Sequence, residues 1–160
     1  MKGVTPMLWF DTQAGEAAAF YNSIFKDATV GNSTEYTPES AKMTGQQLGT
    51  PMTVEFELAG LKFTGLNGGP MFKFNEAVSF VISCDSQDEV DYYWSRLTAD
   101  GGEESQCGWL KDKFGLSWQV TPIRLIELMK DSDPARVSRV TSAMMNMKKI
   151  EIADLEDAAR

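Results

Sequence analysis

The order strand, helix, three strands occurs twice along this chain, and that repetition restricts the fold more than any single motif does. A shift of 72 positions brings Phe20 onto Tyr92, Tyr21 onto Tyr93 and Ser23 onto Ser95, so FYNSIF and YYWSRL fall on equivalent turns of equivalent helices. Six letters match easily by chance; the repeated order of elements carries more weight. It predicts an α+β fold of two modules, in which each module's sheet packs on its own helix and curls beside its twin, followed by C-terminal helices.

The first module runs from about 5 to 68. MLWF, Met7 to Phe10, is a short apolar run ended by Asp11-Thr12, either of which can cap a helix. Ala17, Phe20, Tyr21, Ile24 and Phe25 then follow at helical spacing, which predicts a helix over about 13–26. ATVGNSTEY reads as a strand, and Thr37 to Thr50 as a polar, glycine-bearing loop. MTVEFELA and LKFTGLN are strands joined by a hairpin at Ala59-Gly60.

The second module runs from about 75 to 121. It opens after the NGGP loop with AVSFVISC, the most strand-like segment of the chain. Ser86 and Glu89 have capping-box spacing, and Val90, Tyr93, Trp94 and Leu97 make a helical face that ends near Asp100-Gly101-Gly102. Short strands are expected around 103–107, 109–112 and 117–121. Beyond them, Thr121-Pro122 and Asp133-Pro134 each place a capping residue before a proline, which predicts two helices in an extension over 122–160. KKIEIADLEDAA reads as a short strand and a last helical turn. With Val137, Val140, Met144 and Met147 in a stripe, this extension packs on its own body or on a second subunit, and a homodimer is expected.

A chain of 160 residues is long enough to bury a core as a single domain without cross-links. Its net charge of −8 is spread along the chain, which argues against nucleic acid as a partner. No apolar run has the length of a membrane span, and Cys84 and Cys107 are too few for a disulfide scaffold, so a cytoplasmic location is expected. Histidine is absent altogether, which removes the commonest general base and the commonest transition-metal ligand.

The stretches PMLWFD, AAAFYNSIF, LNGGPMFKFNEAVSF, CGWLKDKFGLSWQV and MNMKKIEI resemble the vicinal-oxygen-chelate superfamily of glyoxalase I, extradiol dioxygenases and the bleomycin- and fosfomycin-resistance proteins. Within it the chain is most similar to the PhnB-like group, whose label is a demethylubiquinone methyltransferase type. The resemblance implies paired βαβββ modules that form a cupped mixed sheet, usually completed or faced by a second subunit. In metal-using relatives, divalent-metal ligands come from the first and last strands of each module. The matching positions here are Met7 or a neighbour, Phe63, Ser79 and Gln119: a thioether, a phenyl ring, a hydroxyl and a carboxamide. That set offers a cation no anionic ligand, so no metal and no cofactor are expected.

Gln119 shares a strand face with Ser117 and Thr121, opposite Trp118 and Val120. Either it faces a ligand, or it is a buried amide satisfied by a neighbouring strand or a water. The same alternatives apply to Ser79. Asn67 faces a ligand or stabilises its turn. Trp9, Trp109, Trp118, Phe63, Phe72 and Phe74 line a pocket or are core, with Phe72 and Phe74 on a loop that could serve as a lid. The ligand-binding candidates are therefore Met7, Trp9, Phe63, Asn67, Phe74, Ser79 and Gln119. No catalytic residue is assigned; of the carboxylates Asp11, Glu55, Glu57 and Glu76, Glu76 is the first to test. Lys111, Asp112 and Lys113 read as a solvated edge.

Two functions follow as expectations. One is a metal-free protein of the PhnB-like group that binds an apolar or aromatic small molecule in the cup. The alternative is an enzyme: a superfamily member with a carboxylate-bound divalent metal, or the methyltransferase of the group's label. A methyltransferase of the doubly wound kind would carry a glycine-rich turn between a strand and a helix, and NGGP leads into another strand instead.

Overall fold

The computed structural model describes residues 3–160, which form two compact units, the first ending at Phe74 and the second running from Asn75 to Arg160. The first unit contains β1 (Met7–Phe10), α1 (Ala14–Ile24), β2 (Thr29–Glu35), α2 (Pro38–Thr44), β3 (Pro51–Leu58) and β4 (Leu61–Asn67). Its sheet has the order β1-β4-β3-β2, with β1 parallel to β4 and the other pairs antiparallel. The second unit contains β5 (Ser79–Cys84), α3 (Gln87–Leu97), β6 (Glu103–Glu104), β7 (Trp109–Lys111), β8 (Ser117–Pro122), α4 (Ile123–Leu128), α5 (Pro134–Met145) and α6 (Ile152–Ala158). Its sheet repeats the arrangement as β5-β8-β7-β6, again with the first pair parallel. Two mixed sheets, each with its helix, realise the α+β fold that the repeat predicts.

In the first unit Ala14, Ala17, Ala18 and Tyr21 of α1 are buried against the sheet. The approach is closest at Gly65, where a Cβ would lie 3.0 Å from the Ala14 Cβ. Phe56, Phe63 and Tyr21 build the aromatic part of this layer: Phe56 stacks on Phe63 at 5.2 Å and lies 5.8 Å from the Tyr21 ring. Each such ring contributes about 1.5–3 kcal/mol by leaving water. The hairpin is where the sequence puts it, with Ala59 and Gly60 both at positive φ (47° and 82°), as its tight turn requires.

Four local expectations are corrected. Thr121 does not cap α4, whose N-cap is Pro122 with no side-chain bond. Neither Asp11 nor Thr12 caps α1: its N-cap is Gln13, with no side-chain cap. The polar segment after Thr37 is not all loop, because α2 forms there, with Thr37 accepting from the Ser40 amide and Pro38 at its first position. No strand forms in KKIEI. The carbonyls of Met147 and Lys148 accept only from the Cys107 and Gly108 amides, a two-bond contact that extends into no ladder.

The extension packs within the second unit. Leu125, Leu128, Val140, Ile150 and Leu155 form one buried cluster, with Met144 and Met147 against it. Gln87, at the start of α3, ties the chain end down by donating to the Ile150 carbonyl (3.1 Å) and accepting from the Ile152 amide (2.8 Å). Lys149 pairs with Asp91 and, at 3.0 Å, with Glu151. Among the described residues, no helix is long and apolar enough to cross a membrane.

Candidate functional site

Strand register assigns each candidate to a face. In the first sheet Met7 pairs with Thr64 and Trp9 with Leu66, while Thr64 pairs with Glu55, so these residues share the face away from α1. Phe63, Gly65 and Asn67 lie on the opposite face, toward α1. Phe63 is 3% exposed in the aromatic layer, and this corrects its expected place beside Met7. Asn67 is likewise core: at 1% exposure its Oδ1 accepts the Ala14 amide (2.8 Å) and its Nδ2 donates to the Pro51 carbonyl (2.9 Å), while its own carbonyl accepts the Tyr36 hydroxyl. Its amide is occupied in joining α1 to the sheet.

Met7 is exposed. Trp9 is half-buried, and its indole N–H donates to the Gly69 carbonyl at 2.8 Å. Gly68 permits this seat, since a Cβ there would come within 2.3 Å of the indole ring. Phe72 meets Trp9 edge-on at 4.9 Å and Phe74 meets Phe10 edge-on at 5.2 Å, so both rings of the expected lid rest on β1. On the same face as Met7, a cleft of about 270 Å³ is bordered by Thr29, Gly31, Glu55, Glu57, Lys62 and Thr64.

In the second sheet the face toward α3 carries Ile82, Cys84, Leu110, Trp118 and Val120, all buried. The other face carries two cross-strand rows: Ser79, Ser117 and Lys111, then Val81, Gln119 and Trp109. Gln119 Nε2 donates to Ser79 Oγ at 2.9 Å, and both residues are half-buried. These two predicted residues do meet. Ser117 is fully buried, and among the described residues its hydroxyl has no hydrogen-bond partner. Register sets Trp109, one of the aromatic candidates, beside Gln119, and it adds Val81, which sequence alternation on a single strand does not supply.

Glu76 is exposed, with an oxygen 3.1 Å from Lys111 Nζ, and the hydrogen bond from Lys111 holds its carboxyl below the usual range. Such a carboxylate is ionised at neutral pH and is a weaker base than an ordinary one. Lys111 is shared with Glu103 at 3.3 Å. Asp112 corrects the solvated-edge expectation. It is 2% exposed, its Oδ1 accepts the Phe114 and Leu116 amides, and its Oδ2 accepts the Trp118 indole N–H. It therefore shapes the turn that delivers β8. Cys84 is buried, and desolvation, with help from Glu89 and Asp85, pushes its thiol up to about 12, so it is not a nucleophile at neutral pH.

For a divalent metal the donors at these positions are a poor fit: Met7, Ser79 and Gln119 bring no anion. Among the described residues no three His, Cys, Asp or Glu side chains are grouped to hold an ion.

Comparison with known proteins completes the description. Residues 2–121 match the family model described as 3-demethylubiquinone-9 3-methyltransferase, which leaves the extension outside the match. Among solved structures the chain is similar to a PhnB protein from Bacillus cereus whose description carries the same methyltransferase name, at 28% identity over 76% of this chain and 99% of that one, with a TM-score of 0.66. A protein from Pseudomonas aeruginosa (18% identity, 76% and 98% covered, TM-score 0.60) and the fosfomycin resistance protein FosX from Listeria monocytogenes (20% identity, 82% and 99% covered, TM-score 0.55) share the fold. No protein with a curated description matches the chain. The chain thus belongs to the 3-demethylubiquinone-9 3-methyltransferase family, the PhnB-like group.

Proposed function

We propose that the protein is a metal-free binder of an apolar or aromatic small molecule, held against the face of the second sheet that carries Gln119. What supports this is the Ser79–Gln119 pair, a half-buried amide and hydroxyl flanked by Trp109 and Val81. Recognition sites combine apolar walls with a few placed polar groups, and these four side chains have that composition. Met7 and Trp9, on the face of the first sheet away from α1, are proposed separately as apolar ligand contacts of that sheet. Phe63 and Asn67 drop out of the proposal because both are core.

The enzymatic alternatives have less behind them. Glu76 is neutralised by Lys111 instead of standing ready as a metal ligand or base. Each sheet is mixed, unlike the doubly wound parallel sheet that carries a glycine-rich cofactor turn. A homodimer remains part of the proposal, but the extension argues for it less, since Val140 is buried and Met144 and Met147 pack against the same cluster within the second unit.

Native mass spectrometry of the purified protein tests both points, with a retained compound and a dimer mass expected. Gln119→Ala should release the compound while leaving the circular dichroism spectrum unchanged. Retention by that variant would remove Gln119 from the site, and a stoichiometric ion whose chelation abolishes binding would replace the metal-free function.

A further inference from the structure

Building on that proposed site, we infer that its ligand is an uncharged, flat molecule with an N–H beside a C=O, such as a lactam or cyclic imide, whose polar edge meets Ser79 and Gln119 while its ring lies against Trp109.

The hydrogen-bonding capacity of the pair carries the first step. Gln119 Nε2 donates to Ser79 Oγ, which leaves the Gln119 Oε1 lone pairs and the Ser79 O–H proton unused. With the amide reversed, Ser79 donates to Oε1, and the Nε2 protons and a Ser79 lone pair are left instead. Either arrangement leaves an acceptor beside at least one donor, the remaining Nε2 protons adding a further donor. A lactam edge is the complement of both: its N–H reaches the acceptor and its C=O receives the donor.

Charge carries the second step. Lys111, the cation of the neighbouring row, already sits between two carboxylates, Glu76 at 3.1 Å and Glu103 at 3.3 Å, so the cluster sums to −1. No uncommitted positive charge stands in either row to receive a carboxylate or phosphate, and the chain's −8 adds to the penalty. Third, Ser117 lies in the same row as Ser79 with its hydroxyl fully buried and unpartnered among the described residues, where a ligand oxygen or a bound water would satisfy it. Lastly, Trp109 and Val81 flank Gln119 in register, so the polar edge is bounded by an indole on one side and an aliphatic branch on the other.

Calorimetric titration of the full chain with 2-quinolone, N-methyl-2-quinolone and quinoline-2-carboxylate tests the inference. The three share shape; the second lacks the N–H and the third carries a charge. The lactam should bind, with N-methylation and the anion each weakening binding about ten-fold or more, because each leaves a site group unpaired. Gln119→Leu and Ser79→Ala should each narrow the gap between the first two ligands, and the double variant should bring them to equal affinity. Equal binding of all three by the unsubstituted protein would overturn lactam recognition while leaving small-molecule binding intact. A ten-fold preference that survives in the double variant, or no binding of the lactam at millimolar concentration, would also overturn it. In the latter case the compound retained in native mass spectrometry decides separately whether the protein is a binder.

Discussion

Asn67 Oδ1 accepts the backbone N–H of Ala14 at 2.8 Å, so the last residue of β4 supplies the cap that α1 lacks from its own flank. Residues 53 positions apart share this bond, and the same amide reaches Pro51 through Nδ2. Asn67→Ala should destabilise the first unit by about 2–3 kcal/mol, since a helix cap and a buried carbonyl lose their partners together. Asn67→Asp keeps the Ala14 acceptor but sets a buried carboxylate oxygen against the Pro51 carbonyl, so at neutral pH it should lose at least as much. Urea denaturation of the three proteins ranks them.

Gly68 lies under the Trp9 indole. Gly68→Ala would put a methyl group within 2.3 Å of the ring, which must then leave its seat on the Gly69 carbonyl. A cost of about 1–3 kcal/mol and a red-shifted tryptophan emission are expected. An unchanged spectrum would show that the ring does not occupy this seat.

Cys84 links stability to alkaline pH. In the unfolded chain a thiol ionises near its ordinary value of about 8.5, whereas in the folded protein burial pushes this one up to about 12. Below the lower value both states are protonated and the contribution is complete. Between the two the unfolded state binds fewer protons, so stability falls as pH rises, by up to about 1.4 kcal/mol per pH unit. Denaturant midpoints measured from pH 8 to 11 should decline less steeply for Cys84→Ala. A thiol reagent at pH 8 should modify Cys84 only after denaturation.

Gln87 anchors the extension through Ile150 and Ile152. Gln87→Ala removes both bonds and should cost about 1–3 kcal/mol. Amide exchange should rise mainly over 146–160, where few other bonds reach the chain end. Uniform acceleration across both units would instead mean that the anchor is global.

What the sequence disclosed follows from how local each cause is. The Ala59-Gly60 turn and the Ser86 and Asp133 caps were legible because residue and partner lie within a few positions; Asp133 accepts from Ala135 at 2.9 Å. Helix α2 carried the same signal, a capping threonine before a proline, but its polar composition and glycines pointed to a loop. For the site, alternation placed Ser117 and Gln119 on one face, and the repeat matched Met7 with Ser79, the first residues of β1 and β5. Phe63 was misplaced because a one-residue difference in register exchanges faces, and register is set by pairing between strands. Read through the paired strands, the counterpart of Gln119 is Leu66, since Trp9 pairs with Leu66 as Val81 pairs with Gln119. Asp112 read as polar edge because its three donors come from a turn and an indole that only the folded chain gathers around it.

Gln87 waits across 63 positions for Ile150, and this gap sets an order of events during synthesis. A ribosome that has released β8 has still not delivered the residues that cover Gly108 and complete the cluster around Val140. The second unit therefore reaches its final packing only once Ile150 and Leu155 have emerged from the exit tunnel, and a nascent protein stalled before then would expose that apolar surface to chaperones.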